Sequence, residues 1–345
     1  MHKDKSIMVD YAKTIGIVMV VSGHTAWIPF GTLNPYFFHM QLFFFLGGYL
    51  LNTKKDLSSF YCGIIKKHFL YIISTYIIVG LIAVLIHNLV GNNINIGEPF
   101  SNGVFETIKN ALSENMHNNL YFLVAWFILA YMISISIVFL LMKLSILIKV
   151  NNVYSVLFFA TCFYMLAFSL NKIHIREQNQ LLNVAIQVSM ASVFMFIGIL
   201  FRHLNIKFNS IIISTILFIA ISFMISSNNY GIAIMSWSDY KYGIFTTIVA
   251  STAIIYIVMC ISFCLSMAFP NSVITTIGRN SKGIMSYHLV IFLVIDCIFY
   301  YFLNYDISKT TPTHHYYSEF SGMLYLTMPI LIIVFLNSVK NKIIK

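Results

Sequence analysis

Ten long apolar stretches set the limits on what this chain can fold into. They fall at about 7–28, 36–52, 69–90, 121–142, 153–170, 184–201, 210–227, 244–268, 284–303 and 321–339 of 345 residues. A helix that crosses a bilayer needs about 20 predominantly apolar residues, and most of these stretches meet that length. Between them charge is scarce: 9% of residues are Asp, Glu, Lys or Arg, against about a quarter in soluble proteins. Mean hydropathy is +0.83. A water-soluble globule is excluded, and the expected fold is an all-α integral membrane protein with about ten transmembrane helices. The second stretch is short and is expected to be tilted or partly interfacial.

Lys and Arg give the orientation, because cytoplasmic loops collect them. With the N-terminus inside, 15 of the 21 lie in inner segments. Five (Lys109, Lys172, Arg176, Lys241 and Lys309) lie in outer segments, and Lys13 lies inside the first stretch. Both termini are therefore expected in the cytoplasm. The formal net charge of +10 then reflects topology, with anionic lipid or an anionic cofactor as its natural contact at the inner face and no nucleic acid implied. Asp10 and Lys13 interrupt the first apolar run and no small-x-small cleavage pattern follows it, so it is expected to be retained. The five cysteines fit neither a disulfide framework nor a metal site. No linker, repeat or soluble appendage is visible, so residues 1–345 read as a single transmembrane domain. A bacterial-type inner (cytoplasmic) membrane is the expected location.

The first stretch, "VDYAKTIGIVMVVSGH", holds three residues that are costly to bury. At 100° per residue on a continuous helix, Asp10, Lys13 and His24 fall within an arc of about 60°. Ionisable residues in a membrane helix usually face a bundle interior or a water-filled path. The alternative is a local Asp10–Lys13 pair near the inner interface, with His24 a hydrogen-bonded core residue. The second stretch, "YFFHMQLFFFLGGYLL", places His39 near its outer end, and only Pro29–Pro35 separates the two stretches. His24 and His39 are therefore expected to approach each other. Two imidazoles make a poor metal site, so proton transfer is the better use of them. An outer loop near 304–320 carries "THHYYSEF", with His314, His315, Tyr316, Tyr317 and Glu319.

These residues resemble the membrane-bound acyltransferase family 3, in particular its fucose 4-O-acetylase-like branch. Members show an acidic residue, then Arg or Lys, then ten residues, then His; here these are Asp10, Lys13 and His24. A second family segment, F-H-M-P-L-F-F-F-L-S-G-Y, is matched by Phe38 to Tyr49, with Gln41 for Pro and Gly47 for Ser. Trp126-Phe127-Ile128 is similar to the family's W-F-L. Phe196 to Arg202 is similar to F-x-G-x-L-x-R. Ile277 to His288 is similar to G-R-N-S-L-G-I-Y-x-x-H. Lys66-Lys67-His68 stands where relatives carry an R-x-x-R-like stretch, and no Pro follows it.

The resemblance implies transfer of an acetyl group from cytoplasmic acetyl-CoA to a hydroxyl of a cell-surface polysaccharide sugar or its lipid-linked precursor. Such chemistry needs a group that takes a proton near neutral pH, and His suits it. His24 is the candidate, as general base or transient acyl carrier, with Asp10, Lys13 and His39 beside it. CoA phosphates favour Lys and Arg, which points to Lys66, Lys67, Arg202 and Arg279. Positive-inside topology accounts for each of these four equally well. His288 and Trp126 are expected along the substrate path. The competing reading is a transporter or flippase for an acyl or glycan group, although no repeat of one half in the other is visible. Acceptor sugar and oligomeric state are beyond the sequence.

Overall fold

The computed structural model describes residues 3–25, 34–91, 94–318 and 320–343. Among these the regular secondary structure is helical, with no strands. The helices are α1 (Lys3–Ser22), α2 (His39–Tyr49), α3 (Leu57–Ile64), α4 (Leu70–Val90), α5 (Val104–Ser113), α6 (Ala125–Leu147), α7 (Asn152–Glu177), α8 (Gln180–His203), α9 (Ile211–Ser226), α10 (Ile244–Ala268), α11 (Ser272–Arg279), α12 (Ser281–Leu303) and α13 (Ser321–Ile343). A π-helical turn, Ile65–Phe69, joins α3 to α4, so that Leu57–Val90 runs as one apolar helix of 34 residues.

Local chemistry sets many of the helix ends. The side chains of Asp56, Asn151, Asn179, Ser210 and Asn271 each accept from a backbone N–H in the first turn of the helix that follows, satisfying donors that have no partner inside the helix. Gln178 and Asn304 take left-handed backbone at the ends of α7 and α12, a conformation Asn tolerates better than most residues.

Among the described residues, seven helices are long and apolar enough to cross a membrane: Leu57–Val90, α6, α7, α8, α10, α12 and α13. The chain is thus a multi-pass membrane protein. The other three expected stretches are also helical, but α2 has 11 residues and α9 has 16. α1 carries Lys3, Asp4, Lys5, Asp10 and Lys13 within its 20 residues. The expected first stretch, 7–28, is shorter as a helix than the sequence implied. α1 ends at Ser22, and its last turn tightens as the His24 N–H bonds the Val21 carbonyl at 3.2 Å. Residues 26–28 lie outside the described set. Large apolar side chains stand exposed along the spans, Phe158, Ile216, Phe302 and Leu331 among them, as lipid-facing surfaces require.

The chain forms two compact units, each drawn from separate segments. The first comprises Met1–Pro35, Ile72–Trp126 and Phe269–Lys345. In it, α1 packs on α11, α12 and α13, and α12 packs on α13. The second comprises Tyr36–Tyr71 and Phe127–Ala268. In it, α8 packs on both α2 and α7. α2 and α8 meet at backbone contact: a Cβ at Gly48 would lie 1.9 Å from the Met195 carbonyl oxygen, and one at Gly198 would lie 2.1 Å from that of Phe45. Small residues permit this approach where helices associate in lipid.

Candidate active site

Within the first unit, Asp10 is the centre of a charged cluster. It is 6% exposed, and two cations face it. Lys13 Nζ is 3.6 Å from Oδ1, one helical turn along α1. Arg279 Nε donates to Oδ2 at 2.9 Å. Arg279 is the last residue of α11, which lies directly on the backbone of α1. A Cβ at Gly278 would fall 2.0 Å from the Asp10 carbonyl oxygen. The Thr14 hydroxyl donates to the Ile274 carbonyl at 2.6 Å. The Tyr11 hydroxyl donates to the Phe269 carbonyl and accepts from the Asn271 N–H at 2.7 Å. The G-R-N segment thus has a physical basis: Gly278 lets α11 touch α1, and Arg279 then reaches Asp10. The local pair weighed as an alternative does form, but a third partner, 269 residues away in sequence, completes it. Asp10 and Lys13 remain on neighbouring turns of one face. The guanidinium of Arg279 is two-thirds exposed and the Lys13 side chain about a quarter exposed, so both present charge to incoming groups.

His24 lies just beyond the end of α1, two residues after Ser22, and is partly buried. Its ring packs against that of His288, with centroids 5.1 Å apart and planes tilted by 57°. His288 is fully buried on α12. Its Nδ1 is 2.7 Å from the Met285 carbonyl oxygen, and Phe292 stands edge-on to its ring at 5.6 Å. The histidine beside His24 within this unit is therefore His288, which the sequence placed only along a path. Trp126 is 5% exposed near the start of α6.

The remaining candidates belong to the second unit. His39 opens α2, is buried, and meets Tyr36 edge-on at 5.2 Å. Gln41, the residue standing for the family's Pro, is 1% exposed, and its Nε2 has no hydrogen-bond partner among the described residues. Arg202 donates to the carbonyls of Tyr49, at 3.3 Å, and Leu51. It thereby satisfies acceptors left open at the end of α2. Gly198 and Arg202 of the F-x-G-x-L-x-R segment together dock and cap α2. Lys66 and Lys67 are exposed in the π-helical turn.

A family profile described as an acyltransferase domain, that of acyltransferase family 3, matches residues 7–339. The chain belongs to this acyltransferase family. No curated protein and no solved structure matches it. Within the first unit of this membrane acyltransferase, the charged cluster lies midway along α1 and the imidazole pair lies just beyond its C-terminal end.

One further polar centre of this acyltransferase was not anticipated. Asp296, on α12, is fully buried and accepts from His315 Nδ1 at 2.7 Å, from the Tyr316 N–H at 3.2 Å and from the Tyr325 hydroxyl. These donors come from the "THHYYSEF" loop and from α13, so Asp296 fastens both to α12. Phe292 lies between this centre and the imidazole pair, touching the rings of His288, His315 and Tyr325. The signal was in the sequence: an acidic residue inside the apolar run "LVIFLVIDCIF" is as costly in a membrane as Asp10.

Proposed function

We propose that this acyltransferase moves an acetyl group from cytoplasmic acetyl-CoA to a hydroxyl of a cell-surface polysaccharide sugar or its lipid-linked precursor. The observation that carries the reading is the arrangement along α1. Asp10, Lys13 and Arg279 gather midway along it, and His24 with His288 stands just beyond its C-terminal end, with about 18 Å of helical rise from Asp10 to Ser22. The charge bias of the loops supports ten spans with both termini in the cytoplasm. That orientation turns Lys13 and Arg279 toward the cytoplasmic donor and His24 toward an outer acceptor, at a bacterial-type inner membrane.

In this reading the exposed guanidinium of Arg279 and the ammonium of Lys13 attract the phosphates of CoA, with Asp10 holding both cations in place. Arg202 serves chiefly to cap α2. His24 takes the proton of the sugar hydroxyl as its oxygen forms a bond to the thioester carbonyl. The C–S bond breaks, and the proton ends on the CoA sulfur. A route in which His24 first carries the acyl group uses the same bare nitrogen as nucleophile. Trp126 lines the acceptor's path.

The test is expression in a host that makes a polysaccharide of known structure, followed by NMR of the purified glycan. New O-acetyl signals on sugar carbons support the proposal. Altered glycan export with no change in acetylation would replace it with transport.

A further inference from the structure

His288 holds a buried polar atom that the mechanism above does not use. Its Nδ1 faces the Met285 carbonyl oxygen at 2.7 Å. A carbonyl only accepts, so Nδ1 carries the proton and Nε2 is a bare acceptor. That Nε2 is buried and has no hydrogen-bond partner among the described residues, which is costly unless something meets it. Two rings flank His288. Phe292 offers no N–H, whereas His24 does. An imidazole nitrogen lies about 1.1 Å from its ring centre, so the 5.1 Å between centroids leaves about 2.9 Å when two nitrogens face each other. That is a normal hydrogen-bond length, so the spacing of the two rings allows the bond. Exposure sets the order of the pair. His24 is only partly buried and can meet substrate, whereas His288 is enclosed and stands behind it.

We propose that His288 is the positioning residue for His24. Its Nε2 accepts a hydrogen bond from one ring N–H of His24, which leaves the other His24 nitrogen bare toward the reacting groups. The bond strengthens as His24 gains positive charge, whether by taking a proton or by accepting an acyl group. In serine hydrolases a buried carboxylate does this for the catalytic histidine. Here a neutral imidazole does it, its tautomer fixed by a backbone carbonyl. Other charged groups are set apart from the pair. Among the described residues of the first unit, Asp10, Lys13 and Arg279 cluster midway along α1, and Asp296, His315 and Tyr325 stand beyond Phe292. The proposal rests on the reading of His24 as the reacting imidazole.

The test uses the full chain in lipid nanodiscs and diethyl pyrocarbonate, which modifies neutral imidazole, with peptide mass spectrometry reporting the rate at His24 from about pH 5 to 9. In His288→Leu the midpoint of that rate is expected to move to lower pH by about half a unit to one unit, because the protonated ring loses its acceptor. In His288→Gln, whose amide oxygen still accepts, the midpoint is expected to stay with the unsubstituted protein. An unmoved midpoint in His288→Leu, or equal movement in both variants, would overturn the proposal. In the unsubstituted protein, 15N shifts of labelled histidine must give His288 as the Nδ1–H tautomer; an Nε2–H tautomer would overturn it with no variant needed. The two readings fail separately. A His24→Ala protein that still transfers acetyl groups removes the role of His24. An unmoved midpoint beside an inactive His24→Ala protein removes only the role of His288.

Discussion

Gly278→Ala tests whether the contact between α11 and α1 builds the charged cluster. The added methyl would lie 2.0 Å from the Asp10 carbonyl oxygen, 2.8 Å from its carbon and 2.9 Å from Thr14 Oγ1. The first two are backbone atoms and cannot swing aside. α11 must therefore back away from α1 by about 1.5 Å to reach ordinary contact distance. The Arg279–Asp10 bond, 2.9 Å in the native protein, is lost over a movement of that size. Overpacking of this kind costs about 1–3 kcal/mol. The expected outcome is a lower melting temperature in detergent together with at least a tenfold loss of glycan O-acetylation, because the helix shift and the displaced cation have one cause. Gly63→Ala is the control, since nothing lies within 4 Å of its added Cβ. There the gain in helix propensity, about 0.5–1 kcal/mol, should leave stability unchanged or raised and activity intact. A Gly278→Ala protein that melts and acetylates as the unsubstituted protein does would refute the packing argument and the link from Gly278 to Arg279.

Three further outcomes follow from single side chains. Asp10→Asn should reduce acetylation more than tenfold while costing under about 1 kcal/mol in a thermal melt, since its two cationic partners are partly exposed and solvent screens such pairs. Asp296→Asn should do the reverse at the level of folding. Removing the charge from a fully buried acceptor of three donors costs about 3 kcal/mol, read as a fall in melting temperature. His117, in the loop between α5 and α6, is pushed down to about 4 by burial, below its ordinary value of about 6.5. The unfolded chain therefore binds the proton more readily. The stability this residue contributes is full above about pH 6.5 and is lost as pH falls toward 4, up to about 3 kcal/mol in all. His117→Gln should flatten the melting temperature against pH across that window, and an unchanged slope would count against it.

How much of this was legible in the sequence depended on distance along the chain. Helix content and the membrane class follow from apolar runs that any bilayer enforces. The Asp10–Lys13 pair needed only helical spacing. The third partner, Arg279, and the neighbour of His24, His288, lie more than 260 residues from their contacts, and no periodicity encodes that. The family resemblance named both residues without saying what they touch. His24 was expected inside a helix because its flanks are apolar, yet the backbone stops at Ser22 and tightens through Gly23. Short loop length suggested His39 as its neighbour, whereas within the first unit the adjacent ring is that of His288, brought by the packing of α12 on α1. Arg202 read as a cation for a ligand. Its bonds to the end of α2 are invisible until α2 and α8 are seen to meet through Gly48 and Gly198. Asp296 was overlooked although its cost in an apolar run matches that of Asp10.

The central claim is that His24 carries the chemistry of a sugar O-acetyltransferase. The most direct measurement is NMR of the polysaccharide from the acetylation host carrying His24→Ala, at the same membrane level as the unsubstituted protein. The expected result is loss of the O-acetyl signals that the unsubstituted protein adds. Undiminished O-acetylation by His24→Ala would contradict the claim.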